Sequence, residues 1–144
     1  MFRIKVECVL NKSIEKVFDA ITDHGNYKKF PGIDDSILVE KGKSERNGEG
    51  ALRIISAKPF QLTERIIHFE KPFCMKYHIE ASSPIRMRHD KGEVTMQAVG
   101  DKTKVLWISE GHMDIPIVGH VFDKVVELKI SRAFRAILKH IEEN

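Results

Sequence analysis

Charged and hydrogen-bonding residues set inside apolar runs are the ones whose position could do chemistry. Arg53 lies in Ala51-Leu-Arg-Ile-Ile, and Glu64 stands two residues before Ile66-Ile67. A buried arginine keeps its proton and needs a carboxylate or a ligand anion beside it. Two readings follow: an interior pair or ligand anchor, or an exposed cross-strand ion pair worth roughly 0.2–1 kcal/mol. The exposed pair is the default expectation. Tyr77 shares the apolar parity of Phe73, Met75 and Ile79, so its ring is expected inward, with its hydroxyl seeking a partner. Four histidines, His68, His78, His89 and His112, fall on four different predicted strands. None forms an i, i+4 pair with another on a helix, and none has a cysteine nearby, so no zinc set of three or four ligands is expected. They are read as surface residues, with one exception. His89 precedes Asp90-Lys91-Gly92, where a bulge could reverse its side chain toward the interior.

Other chemistries find less support. Ser82-Ser83 sits in a turn without a nucleophile elbow, and Cys74 has no identifiable base. Gly48-Glu-Gly-Ala matches neither a P-loop nor a dinucleotide fingerprint. Lys28-Lys29 and Arg86-Met-Arg88-His89 are short basic clusters with acidic neighbours, read as solvated surface. No metal and no cofactor is expected.

Six predicted strands and three helical segments must position these groups after a first strand. Phe2, Ile4, Val6 and Cys8 alternate with polar residues, which predicts a half-buried strand. Ile14, Val17, Phe18 and Ile21 recur at helical spacing, giving a short amphipathic helix over 14–23 that Gly25-Asn26 ends. Tyr27 to Ile33 is too short for a full helix. The period then becomes two, with strands at 36–41, 50–57, 61–70, 73–80, 87–99 and 103–113. Short turn-like spacers between them imply antiparallel hairpins. Both faces of 103–113 are mixed, so whether Trp107 faces inward stays open there, as does the inward face of 50–57 and 61–70. From Ile117 to Glu142 a long helix carries an apolar stripe that includes Val118, Phe122, Val126, Ile130 and Phe134. The expected class is α+β: a strongly twisted seven-stranded antiparallel sheet curling around one long helix. One helix cannot fill such a concavity, and the remaining hollow is where a small molecule would bind.

Composition sets the outer bounds. The chain has 144 residues and 42% hydrophobic content, with 24 Lys+Arg against 21 Asp+Glu for a net charge of +3. That length suits a single domain over 1–144 with a substantial core, and the low net charge excludes the disordered regime. No apolar stretch approaches the ~18–20 residues of a membrane span. The amino end alternates charges where a signal peptide would need an apolar block. Two cysteines, Cys8 and Cys74, make no disulfide framework and suit a reducing cytoplasm. A weak positive charge argues against nucleic acid as a partner.

The element order, together with several stretches, resembles the START-like (SRPBCC) superfamily and its polyketide cyclase/dehydrase-like branch. The stretches are Ser13-Ile-Glu-Lys-Val-Phe-Asp-Ala-Ile-Thr-Asp, Asn26-Tyr-Lys-Lys-Phe-Pro-Gly-Ile, Gly48-Glu-Gly-Ala-Leu-Arg, Glu64-Arg-Ile with Tyr77-His-Ile, His89 with Gly92-Glu-Val, and Thr103-Lys-Val-Leu-Trp. The resemblance implies a helix-grip fold, with two short helices after the first strand. It also implies charged types at the Arg53 and Glu64 positions, a histidine at the His89 position, and a lid segment that includes Phe30 and Ile33. It further implies that Phe122, Val126 and Ile130 line the hollow.

The leading expectation is a cytoplasmic protein that binds, or binds and transports, a small hydrophobic molecule such as a lipid, quinone or polyketide-like compound. Arg53, Glu64, Tyr77 or His89 would orient its polar end, with Trp107 and Phe30 among the apolar walls. One alternative is a cyclase or dehydratase using Glu64 or His89 as general acid/base. Another is an interaction module of the chaperone-activator or coenzyme Q-binding kind. The oligomeric state is left open.

Overall fold

A computed structural model describes residues 1–144. β1 (Phe2–Leu10) is followed by α1 (Ile14–Ile21) and a 3-10 turn (His24–Lys29). Then come β2 (Asp35–Glu40), β3 (Leu52–Ala57), β4 (Phe60–Glu70), β5 (Cys74–Ser83), β6 (Met87–Val99), β7 (Lys102–Met113) and α2 (Gly119–Glu143). The strands form one seven-stranded sheet in the order β1-β7-β6-β5-β4-β3-β2, and every pairing is antiparallel. This is the expected helix-grip arrangement: consecutive hairpins from β2 to β7, with β1 closing against β7 and α2 laid across the inner face.

The inner face is built by alternation. Thr103, Val105, Trp107, Ser109, Gly111 and Met113 are all buried along β7, which settles the face that the mixed sequence left undecided. Facing them from β1 are Phe2, Ile4 and Val6, paired with Gly111, Ser109 and Trp107. The four apolar residues predicted for α1 are all buried, and Phe18 meets Phe69 edge to face at 5.1 Å.

Two irregularities aim side chains that strict alternation would misplace. A bulge between His89 and Lys91 shifts the β6 register against β7. Met87 and His89 therefore face the same way as Gly92 and Val94, despite the odd count between them. Beyond Lys76↔Glu93, β5 and β6 stop pairing, and the sheet parts. The His89 imidazole fills this parting, where its Nδ1 accepts the Ile79 backbone N–H at 3.1 Å. Gly92 sits at the apex. A Cβ there would lie 2.7 Å from the Tyr77 carbonyl oxygen and 2.7 Å from His89 Cε1, so only glycine lets the strands converge.

The register of α2 corrects one expectation. Asp123 is buried, with Oδ1 accepting the Met113 N–H at 2.8 Å and Oδ2 beside the Met1 amino group at 2.7 Å. This contact turns Val126, Ile130 and Ile137 inward and rotates Phe122 outward, so Phe122 is 38% exposed and is no part of the hollow. Val118, Val121, Val125 and Leu128 are exposed with it. The sequence placed Val118 and Phe122 on the core stripe because helical periodicity cannot locate a polar anchor that resets the buried face.

Candidate functional site

Between α2 and the inner faces of β3, β4, β5 and β7 lies a cavity of about 110 Å³. Its walls are apolar: Ile55, Leu62 and Ile79 from the sheet, Val126, Ile130 and Phe134 from α2, with Gly32 and Ile33 from the segment before β2. Phe134 stacks on Trp107 with ring centroids 3.9 Å apart and planes at 11°. At the floor, Arg53, Glu64, Tyr77 and Ser109 reach the same space.

Arg53 and Glu64 are direct partners in the β3–β4 ladder. Both face inward, at 1% and 4% exposure, so the expected exposed ion pair is an interior one. Arg53 Nε donates to Glu64 Oε1 at 2.7 Å, and Nη2 stands 2.7 Å from the same oxygen. The third nitrogen, Nη1, donates to His24 Nδ1 at 3.0 Å. The guanidinium carbon lies over the rings of Tyr27 and Tyr77, at 4.7 and 5.6 Å from their centroids. Burial works against the cation here, but Glu64 and the tyrosines outweigh it and hold the guanidinium more firmly protonated than in water.

His24 was not singled out by the sequence. It follows Asp23 at the break after α1, a place without periodicity to betray burial, and it is fully buried. Because arginine can only donate, His24 Nδ1 must be bare. Nε2 therefore carries the proton and donates to the Asn47 carbonyl at 2.8 Å. Burial, reinforced by the Arg53 charge, lowers the His24 pKa to about 3. Tyr27, beside Arg53, donates its hydroxyl proton to the Ile21 carbonyl, and burial raises its pKa.

A second polar chain supports Tyr77. Trp107 Nε1 donates to the Tyr77 hydroxyl at 3.0 Å. His89 Nε2 lies 3.0 Å from Ser109 Oγ. With Nδ1 accepting from Ile79, Nε2 is the protonated nitrogen and the serine oxygen is the acceptor. Burial lowers the His89 pKa to about 4, with the His78 side chain acting in the same direction. Burial also raises the Tyr77 pKa, and the Glu64 charge adds to that. Both histidines are thus neutral, each in a tautomer fixed by its partners.

The structure brings together Arg53, Glu64, Tyr77, Trp107, Val126 and Ile130 around the cavity. His89 is not among the residues lining this cavity; it reaches the Ser109 hydroxyl and stacks on the Tyr77 ring at 5.6 Å, and it lines the outer face of the parted sheet instead. Phe30 is buried but packs between Tyr27 and His140 at 4.9 and 5.5 Å, beneath the carboxyl end of α2. Of the predicted lid residues, Ile33 reaches the cavity. His68, His78 and His112 are exposed or nearly so, as expected. Ser109, a small residue of β7, also contributes to the floor. No group of three or more His, Cys, Asp or Glu side chains is placed to hold a metal ion.

A wider depression of about 730 Å³ lies outside the parted β5–β6 region, lined by His78, Glu80, Arg86, Arg88 and His112 among others. Its lining is charged and open to solvent, so it offers little desolvation to an apolar guest. The cavity beneath α2, with its largely apolar lining, is the better candidate site.

No curated protein matches the chain in sequence. Among solved structures, a START superfamily protein from Mycobacterium smegmatis superposes with a TM-score of 0.79 at 10% identity, covering 99% of both chains. Ara h 8.0201 gives 0.73 at 18% identity, over 99% of this chain and 98% of that one. The Zhui aromatase/cyclase from a Streptomyces species gives 0.71 at 14% identity, over 97% and 93%. At these identities the likeness is one of fold. The sequence itself matches, over residues 1–144, the model of a family described as polyketide cyclase / dehydrase and lipid transport, and to that family the chain belongs.

Proposed function

We propose that this protein binds a compact hydrophobic molecule in the cavity between α2 and the sheet, with the polar floor orienting one end of it. The observation that carries the reading is an apolar hollow whose few polar groups, Arg53, Glu64, Tyr77 and Ser109, neighbour one another beside Trp107. Apolar walls supply affinity by removing ligand surface from water, at roughly 25 cal/mol per Å². The volume of about 110 Å³ is of single-ring size; an apolar cavity of about 150 Å³ accepts benzene. A full lipid chain or a polycyclic compound would require α2 to move away from the sheet. The two unpaired cysteines, Cys8 and Cys74, agree with a reducing, cytoplasmic setting. No helix is long and apolar enough to cross a membrane.

A cyclase or dehydratase needs a general acid and base on the reacting carbons. Arg53 is paired with Glu64 and His24, and His89 lies outside the cavity lining, which leaves Glu64 as the single candidate base. The observations favour binding over turnover.

The test is mass spectrometry of freshly purified protein, native against denatured, on the wild type and on Ala133→Leu. Ala133 borders the cavity, and the larger side chain would fill it. A small molecule that accompanies the wild type and is lost from the variant supports the reading. A molecule retained equally by both contradicts it.

A further inference from the structure

The outward side of α2 carries one line of side chains at three- and four-residue spacing. Val118, Val121, Val125 and Leu128 begin it, and Arg132, Arg135 and Lys139 complete it. At 3.6 residues per turn they fall on one narrow strip, and every member is exposed. The opposite side, with Val126, Ile137 and Ile141, is buried against the sheet. The strip is thus apolar over its first half and cationic over its second. Ile117, 93% exposed, extends the apolar half ahead of the helix. Lys124 and Lys129, both exposed, flank it.

None of these five cations makes an ion pair within the protein. The acids of α2 are mostly engaged elsewhere. Asp123 is buried against the Met113 N–H and the Met1 amino group. Glu127 Oε2 accepts the Arg3 N–H at 3.2 Å, and Glu142 Oε2 accepts the Asn11 N–H at 2.8 Å. Only Glu143, in the last turn beyond Lys139, is a fully exposed acid of the helix.

Such a face is complementary to an anionic lipid surface. Aliphatic side chains enter the boundary between headgroups and acyl chains, while lysine and arginine reach the lipid anions in the same plane. A second copy of the chain fits less well. Parallel pairing would set the cationic halves against each other, and full antiparallel overlap would lay each apolar half on the partner's cations. We infer that the outward face of α2 docks this protein peripherally on membranes rich in anionic lipid, with Val121, Val125 and Leu128 in the interface and Arg132, Arg135 and Lys139 on the headgroups. The inference does not depend on what fills the cavity, whose lining residues lie on the opposite side of the helix.

Co-sedimentation of the intact protein with vesicles tests it, using pure phosphatidylcholine and equal parts phosphatidylcholine and phosphatidylserine. Binding to the mixed vesicles should be about tenfold or more tighter than to the neutral ones, and should weaken as sodium chloride is raised. Arg132→Glu/Arg135→Glu and Val125→Ser/Leu128→Ser should each lower it about tenfold or more. Their urea midpoints should stay with the wild type, because all four positions are exposed. Lys5→Glu/Lys76→Glu makes the same charge change at exposed positions on the outer face of the sheet and should bind like the wild type. Binding to neither vesicle, equal binding to both, or an equal loss in the sheet pair and the helix pair overturns the inference. A dimer in sedimentation velocity that Val125→Ser/Leu128→Ser abolishes would assign the face to a second copy and overturn it as well.

Discussion

At the scale of single residues, the centre of the molecule is a buried ion pair. Arg53 and Glu64 meet at 2.7 Å within a cage of two tyrosines and a neutral histidine. Removing one partner strands a charge, so Arg53→Met or Glu64→Leu alone should cost about 3–5 kcal/mol of stability in urea unfolding. The double substitution removes both charges and replaces them with apolar volume, and should lie within about 1–2 kcal/mol of the wild type. A double variant as unstable as the sum of the singles would contradict this account of the pair. The histidines give a pH signature. The folded pKa values of His24 and His89 are about 3 and about 4, below the usual 6.5. The unfolded chain therefore takes up protons below about pH 6.5 while the fold does not, and stability falls as pH drops. Each histidine contributes a loss of up to about 1.4 kcal/mol per pH unit, until its folded pKa is reached. Urea midpoints at pH 7, 5.5 and 4.5 should decline in that order, and a flat profile would show that the two imidazoles are not held neutral. His24→Gln should make the decline shallower.

At the scale of elements, the parted sheet between β5 and β6 depends on small features. Gly92→Ala would force a Cβ to 2.7 Å from the Tyr77 carbonyl, and overpacking of this kind costs about 1–3 kcal/mol. Because Tyr77 carries the Trp107 hydrogen bond, the same variant should shift the fluorescence of the one tryptophan; unchanged stability and emission would place the constraint elsewhere. The elements were largely legible in the sequence. Period-two runs gave all seven strands to within a few residues of their ends, as in β6 at 87–99, and the 3.6 period gave the four buried residues of α1. What escaped was set by contacts distant in sequence. Asp123 fixes the α2 face through Met113 and the Met1 amino group, and no local pattern carries that information. Arg53 and Glu64 were legible as a pair but not as an interior one, because their burial follows from Tyr27, Tyr77 and His24 arriving from other elements. The His89 reversal was foreseeable as a bulge before Gly92, and its place outside the cavity lining was not, since that depends on where Ser109 and Tyr77 stand.

At the scale of the whole molecule, one sheet and one long helix border a small, largely apolar space with a polar floor. The outward side of the α2 amino half is also apolar, with Val121 at 53%, Val125 at 48% and Leu128 at 56% exposure. An apolar guest thus has two kinds of surface to choose between, and the proposed site is the hollow beneath α2. The cavity wall contains the single tryptophan, and its indole N–H gives one resolved signal reporting on the bond to Tyr77. The most direct test is a ¹H–¹⁵N NMR titration of the intact protein with toluene. The account predicts saturable shifts of the Trp107 indole signal and of the backbone amides of Ile55, Ile79 and Phe134, which surround the cavity. Shifts confined to Val121, Val125 and Leu128, with the indole signal unmoved, would contradict it.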